Sequence, residues 1–197
     1  MRYAILSDIH DNATALRQVL HDIDQQHVDR LICLGDVGRD ARLFAELRAR
    51  DALCTFGNWE VSGLARMAAP LASWVGGWPA TIRAGEARFC HATPEMPSQI
   101  ATTRDAARAV ANGATWRFLF PRLDRDEDAV WQTLAVMEES GLRVVFHGHT
   151  HVQQVWSWAA DTEARRRLCC LRGTREWVVE PGKTRCRKSV HRRRGQV

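Results

Sequence analysis

Tyr3-Ala4-Ile5-Leu6-Ser7-Asp8-Ile9-His10 is the stretch on which the fold turns. A short β-rich apolar run over residues 2–7 gives way at once to an acid and an imidazole. Behind it, Asn12 or Thr14 can cap a helix whose apolar positions, Leu16, Val19, Leu20 and Ile23, follow helical spacing. The pattern then repeats. A strand at 30–34 is stopped by Gly35-Asp36. A helix over 41–50 has Leu43, Phe44 and Leu47 on one face, and a strand at 53–56 is stopped by Gly57-Asn58. Strands separated by helices predict parallel βαβ units with right-handed crossovers, hence an α/β fold. Further on the chain reads less regularly. Two strands surround Gly85 within 81–91, and helices are predicted over 103–112 and 126–140. A strand at 143–146 is stopped by His147-Gly148, and another covers 152–158.

Length and composition set the outer bounds. With 197 residues, 45% hydrophobic and 26% charged, the chain suits one domain with a full core and excludes a disordered or low-complexity protein. No run approaches the roughly 18 apolar residues of a membrane span. The apolar N-terminal run meets Asp8 too early for a signal-peptide core, so the expectation is a cytoplasmic protein with no membrane partner. Cys33, Cys54 and Cys90 lie in apolar stretches and read as reduced core thiols. Charge is split along the chain. Residues 1–163 hold 16 Lys+Arg against 21 Asp+Glu, a net of −5, and residues 164–197 hold 12 against 2, a net of +10. Such a tail can touch nucleic acid or an anionic surface, but a frayed, solvated terminus is the preferred reading.

The chemistry sits where the strands stop. Asp8-Ile9-His10, Gly35-Asp36, Gly57-Asn58, Cys90-His91 and Gly148-His149-Thr150-His151 each end a strand with metal-ligand residue types. Sites in α/β sheets form outside the carboxyl ends of strands, so these segments can converge. Strand alternation would point Asp8 and His10 the same way with Ile9 turned into the core. Carboxylate, imidazole and amide oxygen together suit Mn²⁺, Fe or Zn²⁺ better than an all-oxygen Mg²⁺ site or a thiolate zinc site. Singly each piece has a plainer explanation: a helix cap, a turn asparagine, a hydrogen-bonded core histidine.

In that order the segments resemble the calcineurin-like metallophosphoesterase superfamily. The opening stretch and Ile32-Cys33-Leu34-Gly35-Asp36 resemble its small bacterial phosphodiesterase branch. The resemblance runs from residue 1 to about residue 158. It implies a four-layer α/β/β/α sandwich with a dinuclear metal site at the strand carboxyl ends. That domain would span 1–182, followed by a poorly ordered basic tail at 183–197. Two divalent ions are implied, Mn foremost, with Fe, Zn or Ni as alternatives. Asp8, His10 and His151 would hold one ion, Asn58, His91 and His149 the other, and Asp36 would bridge. The implied reaction is hydrolysis of a small phosphoester by a hydroxide shared between the metals, with Asp36 and Asn58 taking part.

Trp59 stands where the family commonly carries a proton-donating histidine. An indole has no proton to transfer, a loss of about 10²–10⁴ in rate for a poor leaving group. This favours phosphodiesters with acidic leaving groups over monoesters. His147 is either a substitute proton donor or a strand-end histidine bonded to backbone. Trp59 either walls the pocket, stacks on a substrate base or is a core residue. Asp11 replaces a family glycine and reads as part of the cap of the first helix. Past Pro181-Gly182 the chain leaves the family pattern and reads as an altered terminus, which would leave one sheet short of an edge strand. Nucleic acid is not an expected partner, because the nuclease branch is larger. A homodimer through Trp74, Trp78 or Trp116 is left open. The alternative function is a non-catalytic metal-binding scaffold for protein–protein interaction.

Overall fold

The computed structural model describes residues 1–159, 165–170, 177–180 and 183–185. The first half follows the predicted alternation: β1 (Tyr3–Leu6), α1 (Ala13–Gln25), β2 (Arg30–Cys33), α2 (Ala41–Arg48) and β3 (Leu53–Cys54). Of the two candidate caps, Asn12 begins α1, its Oδ1 accepting the Ala15 N–H at 3.0 Å. Asp40 begins α2 in the same way, through the Arg42 N–H at 3.0 Å.

A segment without clear periodicity folds into α3 (Asn58–Gly63), one 3₁₀ turn at Leu64–Arg66 and α4 (Ala69–Gly76). Sequence reading left these helices out. Six residues with a terminal glycine carry little helical propensity of their own, so α3 depends on tertiary bonds. Then come β4 (Thr81–Ala84), β5 (Ala87–Cys90), α5 (Thr103–Ala111), α6 (Trp116–Leu119) and α7 (Glu127–Glu139). β6 (Val144–His147), β7 (Gln154–Ala159), β8 (Arg165–Cys170), β9 (Trp177–Glu180) and β10 (Lys183–Arg185) complete the described elements.

The strands form two sheets, ordered β10-β9-β1-β2-β3 and β4-β5-β6-β8-β7. Period-two alternation assigns their faces. Ile5, Ile32 and Leu34 of the first sheet meet Phe89 and Phe146 of the second in a layer between the sheets. The Phe89 and Phe146 rings stack there at 5.3 Å. On the far side of the first sheet, Ala4, Leu6, Leu31 and Cys33 pack against Leu16, Leu20 and Ile23 of α1 and Leu43, Phe44 and Leu47 of α2. On the far side of the second, Cys90 and Val145 pack against Ala129 and Met137 of α7. Helices, sheet, sheet and helix therefore make the four-layer α/β/β/α sandwich.

Packing sorts the tryptophans that the sequence leaves open. Trp78 is buried against Phe44 and Trp74, so it offers nothing to a dimer surface, whereas Trp116 remains 42% exposed. The first sheet also keeps its edge. β9 pairs antiparallel with β1, and Lys183 pairs with Glu180 to continue into β10. The described part of the sheet runs through Arg185, and residues 186–197 of the basic tail lie outside the described residues. Among the described residues no helix is long and apolar enough to cross a membrane.

Candidate metal centre

β1 and β2 run parallel, as do β5 and β6, and their carboxyl ends deliver Asp8, Asp36, His91 and the 147–151 turn to one place. His10 Nε2 lies 3.0 Å from His151 Nε2, and His151 Nε2 lies 3.3 Å from Asp8 Oδ1. Asp36 Oδ2 is 3.7 Å from His10 Nε2 and 3.5 Å from His91 Nε2, so one carboxylate oxygen sits between the two histidines. Asn58, the first residue of α3, places Oδ1 3.2 Å from His91 Nε2. The His149 ring stands 5.1 Å from the His91 ring. Among the described residues, two groups have ligand atoms mutually within 4.8 Å: Asp8 with His10 and His151, and Asp8 with Asp36 and His91. His149 and Asn58 flank the second group.

Backbone geometry differs from the expected strand alternation. Asp8, His10, Asp36, His149 and His151 all have positive φ, between 47° and 65°. Asp and His tolerate this left-handed conformation better than bulky or β-branched residues do. Asp8 and His10 thus turn towards the site through tight left-handed turns, while Ile9 is buried as predicted. Two glycines are forced by close approach. A Cβ on Gly57 would strike the Asp36 carboxylate, and one on Gly148 would lie 2.5 Å from an Asp8 oxygen and against Ser7 Oγ. Gly148→Ala is therefore expected to cost about 1–3 kcal/mol of stability, read from denaturant midpoints.

The donor set fits cations. Asp8 and Asp36 side chains are buried, and among the described residues their ion-pair partners are histidines alone, with no Lys or Arg. Buried carboxylates without such partners call for another positive charge. Burial by itself would raise the Asp8 carboxyl, but the His151 hydrogen bond and nearby His91 outweigh it and bring it to about 2. Burial lowers His10, and lowers His149 to about 3, keeping those imidazoles neutral as metal ligation requires. His151 moves the other way, held up by its hydrogen bond to Asp8. Because a carbonyl only accepts, His91 Nδ1 must donate to Leu34 O at 2.9 Å, which leaves its Nε2 lone pair towards Asp36. His149 Nε2 likewise donates to Phe120 O at 3.1 Å, leaving Nδ1 as its lone pair.

The fold also places three further residues that the sequence singles out. His147 is fully buried, its Nδ1 donates to the Gly148 carbonyl at 3.0 Å, and burial lowers it to about 4. It is the backbone-bonded strand-end histidine, sealed from any substrate proton. Asp11 does not cap α1. Its Oδ1 instead accepts the Arg39 and Asp40 N–H groups at 2.6 and 2.9 Å, tying down the loop after β2. Trp59 borders the centre, its ring 4.6 Å from that of His10 and its backbone N–H donating to Asp36 Oδ1 at 2.8 Å.

Glu60, three residues past Gly57, is a residue to which the sequence reading assigns no role. It is completely buried. Oε2 accepts the Asp36 and Gly57 N–H groups at 2.8 Å each, and Oε1 accepts that of Val37 at 2.9 Å. Its carboxyl is pushed up to about 7, first by burial and then by the Asp36 charge. A glutamate three residues after a glycine at a helix start is the available signal, since it can reach back to the cap N–H.

Comparison with known proteins agrees with this geometry. The sequence pattern of the calcineurin-like phosphoesterase superfamily domain matches residues 1–193. No protein of curated function matches the chain in sequence. Among solved structures, a metallophosphoesterase from Sphaerobacter thermophilus is 17% identical, with 92% of this chain and 84% of that one covered and a TM-score of 0.66. An archaeal phosphodiesterase is 15% identical over 95% of this chain and 98% of that one, with a TM-score of 0.54. A cold-active protein-tyrosine phosphatase from a Shewanella species is 13% identical over 91% and 75%, with a TM-score of 0.58. At these identities the structures speak for the fold alone, and it is the match across nearly the whole sequence that places the chain in the calcineurin-like phosphoesterase superfamily.

Proposed function

We propose that the protein is a two-metal phosphodiesterase acting on a small phosphoester. The observation that carries this is the placement of Asp36 Oδ2 between His10 and His91, where one carboxylate oxygen can face two cations at once. Asp8, His10 and His151 would hold one ion, and Asn58, His91 and His149 the other. Two such ions activate water as the nucleophile, polarise the phosphoryl oxygens and stabilise the leaving oxygen. The chain's own residues do the positioning. The backbone N–H of Trp59 fixes one oxygen of Asp36 and frees the other, and the backbone N–H of His149 holds Asp8 at 3.1 Å. Mixed imidazole, carboxylate and amide ligands favour Mn²⁺, with Fe, Zn²⁺ or Ni²⁺ as alternatives.

The diester preference rests on the resemblance of the opening stretch and of Ile32-Cys33-Leu34-Gly35-Asp36 to the small bacterial phosphodiesterase branch, and on proton supply, which limits the leaving group. Trp59 has no proton to give and His147 is sealed, so the leaving group must depart as a stable anion. A cytoplasmic setting is in keeping with the buried free thiols of Cys33, Cys54 and Cys90. The test is hydrolysis of bis(p-nitrophenyl) phosphate and p-nitrophenyl phosphate by metal-stripped protein, with Mn²⁺, Zn²⁺, Ni²⁺ and Mg²⁺ restored separately. Diester turnover should return with Mn²⁺ and exceed monoester turnover by about tenfold or more. A monoester preference would overturn the diester reading, and two bound metals without turnover would favour the scaffold.

A further inference from the structure

A cavity of about 750 Å³ opens from Asn58 and His149 and runs outward between aromatic and basic walls. Trp59 is one wall, steadied by the Arg39 guanidinium 5.4 Å from its ring centre. Trp116 is another. It stacks on Phe120 at 5.8 Å, and Phe120 in turn lies 6.0 Å from the His149 ring, so the aromatic wall is continuous with the metal centre. Trp116 is nonetheless 42% exposed and lines the cavity.

The remaining wall is basic. Arg117, Arg122 and Arg125 line the cavity. Arg122 is clamped in place, bonded to Asp124 through Nε at 3.0 Å and Nη2 at 2.9 Å, and to the Thr150 carbonyl at 3.1 Å. That last bond ties the guanidinium to the turn bearing His149 and His151. Arg117 pairs with Asp126 at 3.0 Å. Three guanidiniums against Asp124 and Asp126 leave one net positive charge before any metal is counted.

An aromatic wall beside an arginine wall asks for a ligand that is planar and aromatic at one end and anionic at the other. A long acyl chain would meet Arg117, Arg122, Arg125 and Asp126 in the lining. The volume lies within the roughly 300–1,000 Å³ of small-molecule sites. We propose that this cavity binds a nucleotide, with the base stacked on Trp116 and the phosphate held between the arginine wall and the metal centre. The proposal rests on the phosphoester reading above and names its substrate class. Base stacking on an aromatic side chain accounts for about tenfold or more in affinity.

Ribose 5-phosphate has an anomeric hydroxyl where AMP has its base, and both carry the same phosphate to the same metals. Equilibrium binding of each to Mn²⁺-loaded protein isolates the cavity's contribution. AMP should bind about tenfold or more tightly than ribose 5-phosphate. Trp116→Ala should erase that difference, and Trp116→Phe, which keeps a stacking face, should retain most of it with the same melting temperature. Equal affinities in the unmodified protein, or a preference untouched by Trp116→Ala, would overturn the proposal. The readout does not depend on turnover. Diester hydrolysis with equal AMP and ribose 5-phosphate binding sinks the nucleotide inference alone, and selective AMP binding without hydrolysis sinks the phosphodiesterase reading alone.

Discussion

Asp36→Asn is expected to lower kcat/KM for the diester by about 10³-fold, roughly 4 kcal/mol of transition-state stabilisation, and to reduce bound Mn²⁺ from two ions to one or fewer. The substitution is nearly isosteric, and its oxygen can still accept the Trp59 N–H that Asp36 accepts at 2.8 Å. What it removes is the charge between His10 and His91. Two cations held close together repel, and a neutral amide oxygen does little to offset that repulsion. The same variant should be at least as stable as the parent when metal-free, because Asp36 is buried and its charge bears on Glu60. Activity and metal counts, set beside a melting curve, separate the loss of a ligand from the loss of the fold. Near-normal turnover in the variant would remove Asp36 from the mechanism.

Glu60→Ala is expected to destabilise the protein by about 3–5 kcal/mol, a large part of the 5–15 kcal/mol that holds a domain together. Truncation strands three backbone N–H groups, those of Asp36, Val37 and Gly57, in a site closed to solvent. Each orphaned donor costs about 1–3 kcal/mol. Glu60→Gln keeps an acceptor on one side only and should lie between. The raised carboxyl also gives a pH signature. A group whose folded value of about 7 exceeds its unfolded value of 4.5 stabilises the fold below pH 4.5 and loses that contribution as pH rises through 7. In metal-stripped protein, the stability of the parent relative to Glu60→Gln should therefore decline across that window. A flat difference curve, or an alanine variant as stable as the parent, would show that Glu60 does not support the loop.

Much of this was legible in the chain. The helical spacing of Leu16, Leu20 and Ile23 and of Leu43, Phe44 and Leu47 lies on the faces that pack on the first sheet. The α/β architecture follows from strands interrupted by such helices, because local period and stop signals are properties of adjacent residues. The candidate ligands were legible for a related reason: each ends a strand, and strands of a parallel unit end on one side.

Other features needed the folded chain. Asp11 and Glu60 both look like local helix-start residues, yet each also accepts N–H groups from a segment more than 20 residues away. His147 and His149 are two residues apart and chemically identical. One is sealed behind the Gly148 carbonyl, while the other lines the cavity through a bond to Phe120. Trp78 is buried and Trp116 is exposed, a difference that residue type does not record. The α/β order, the ligand types and their sequence spacing belong to the sequence by itself. Which carboxylate holds the loop, which histidine meets solvent and which tryptophan faces the cavity were decided by tertiary structure. Burial and long-range hydrogen bonding depend on what lies across the fold, and no local pattern records it.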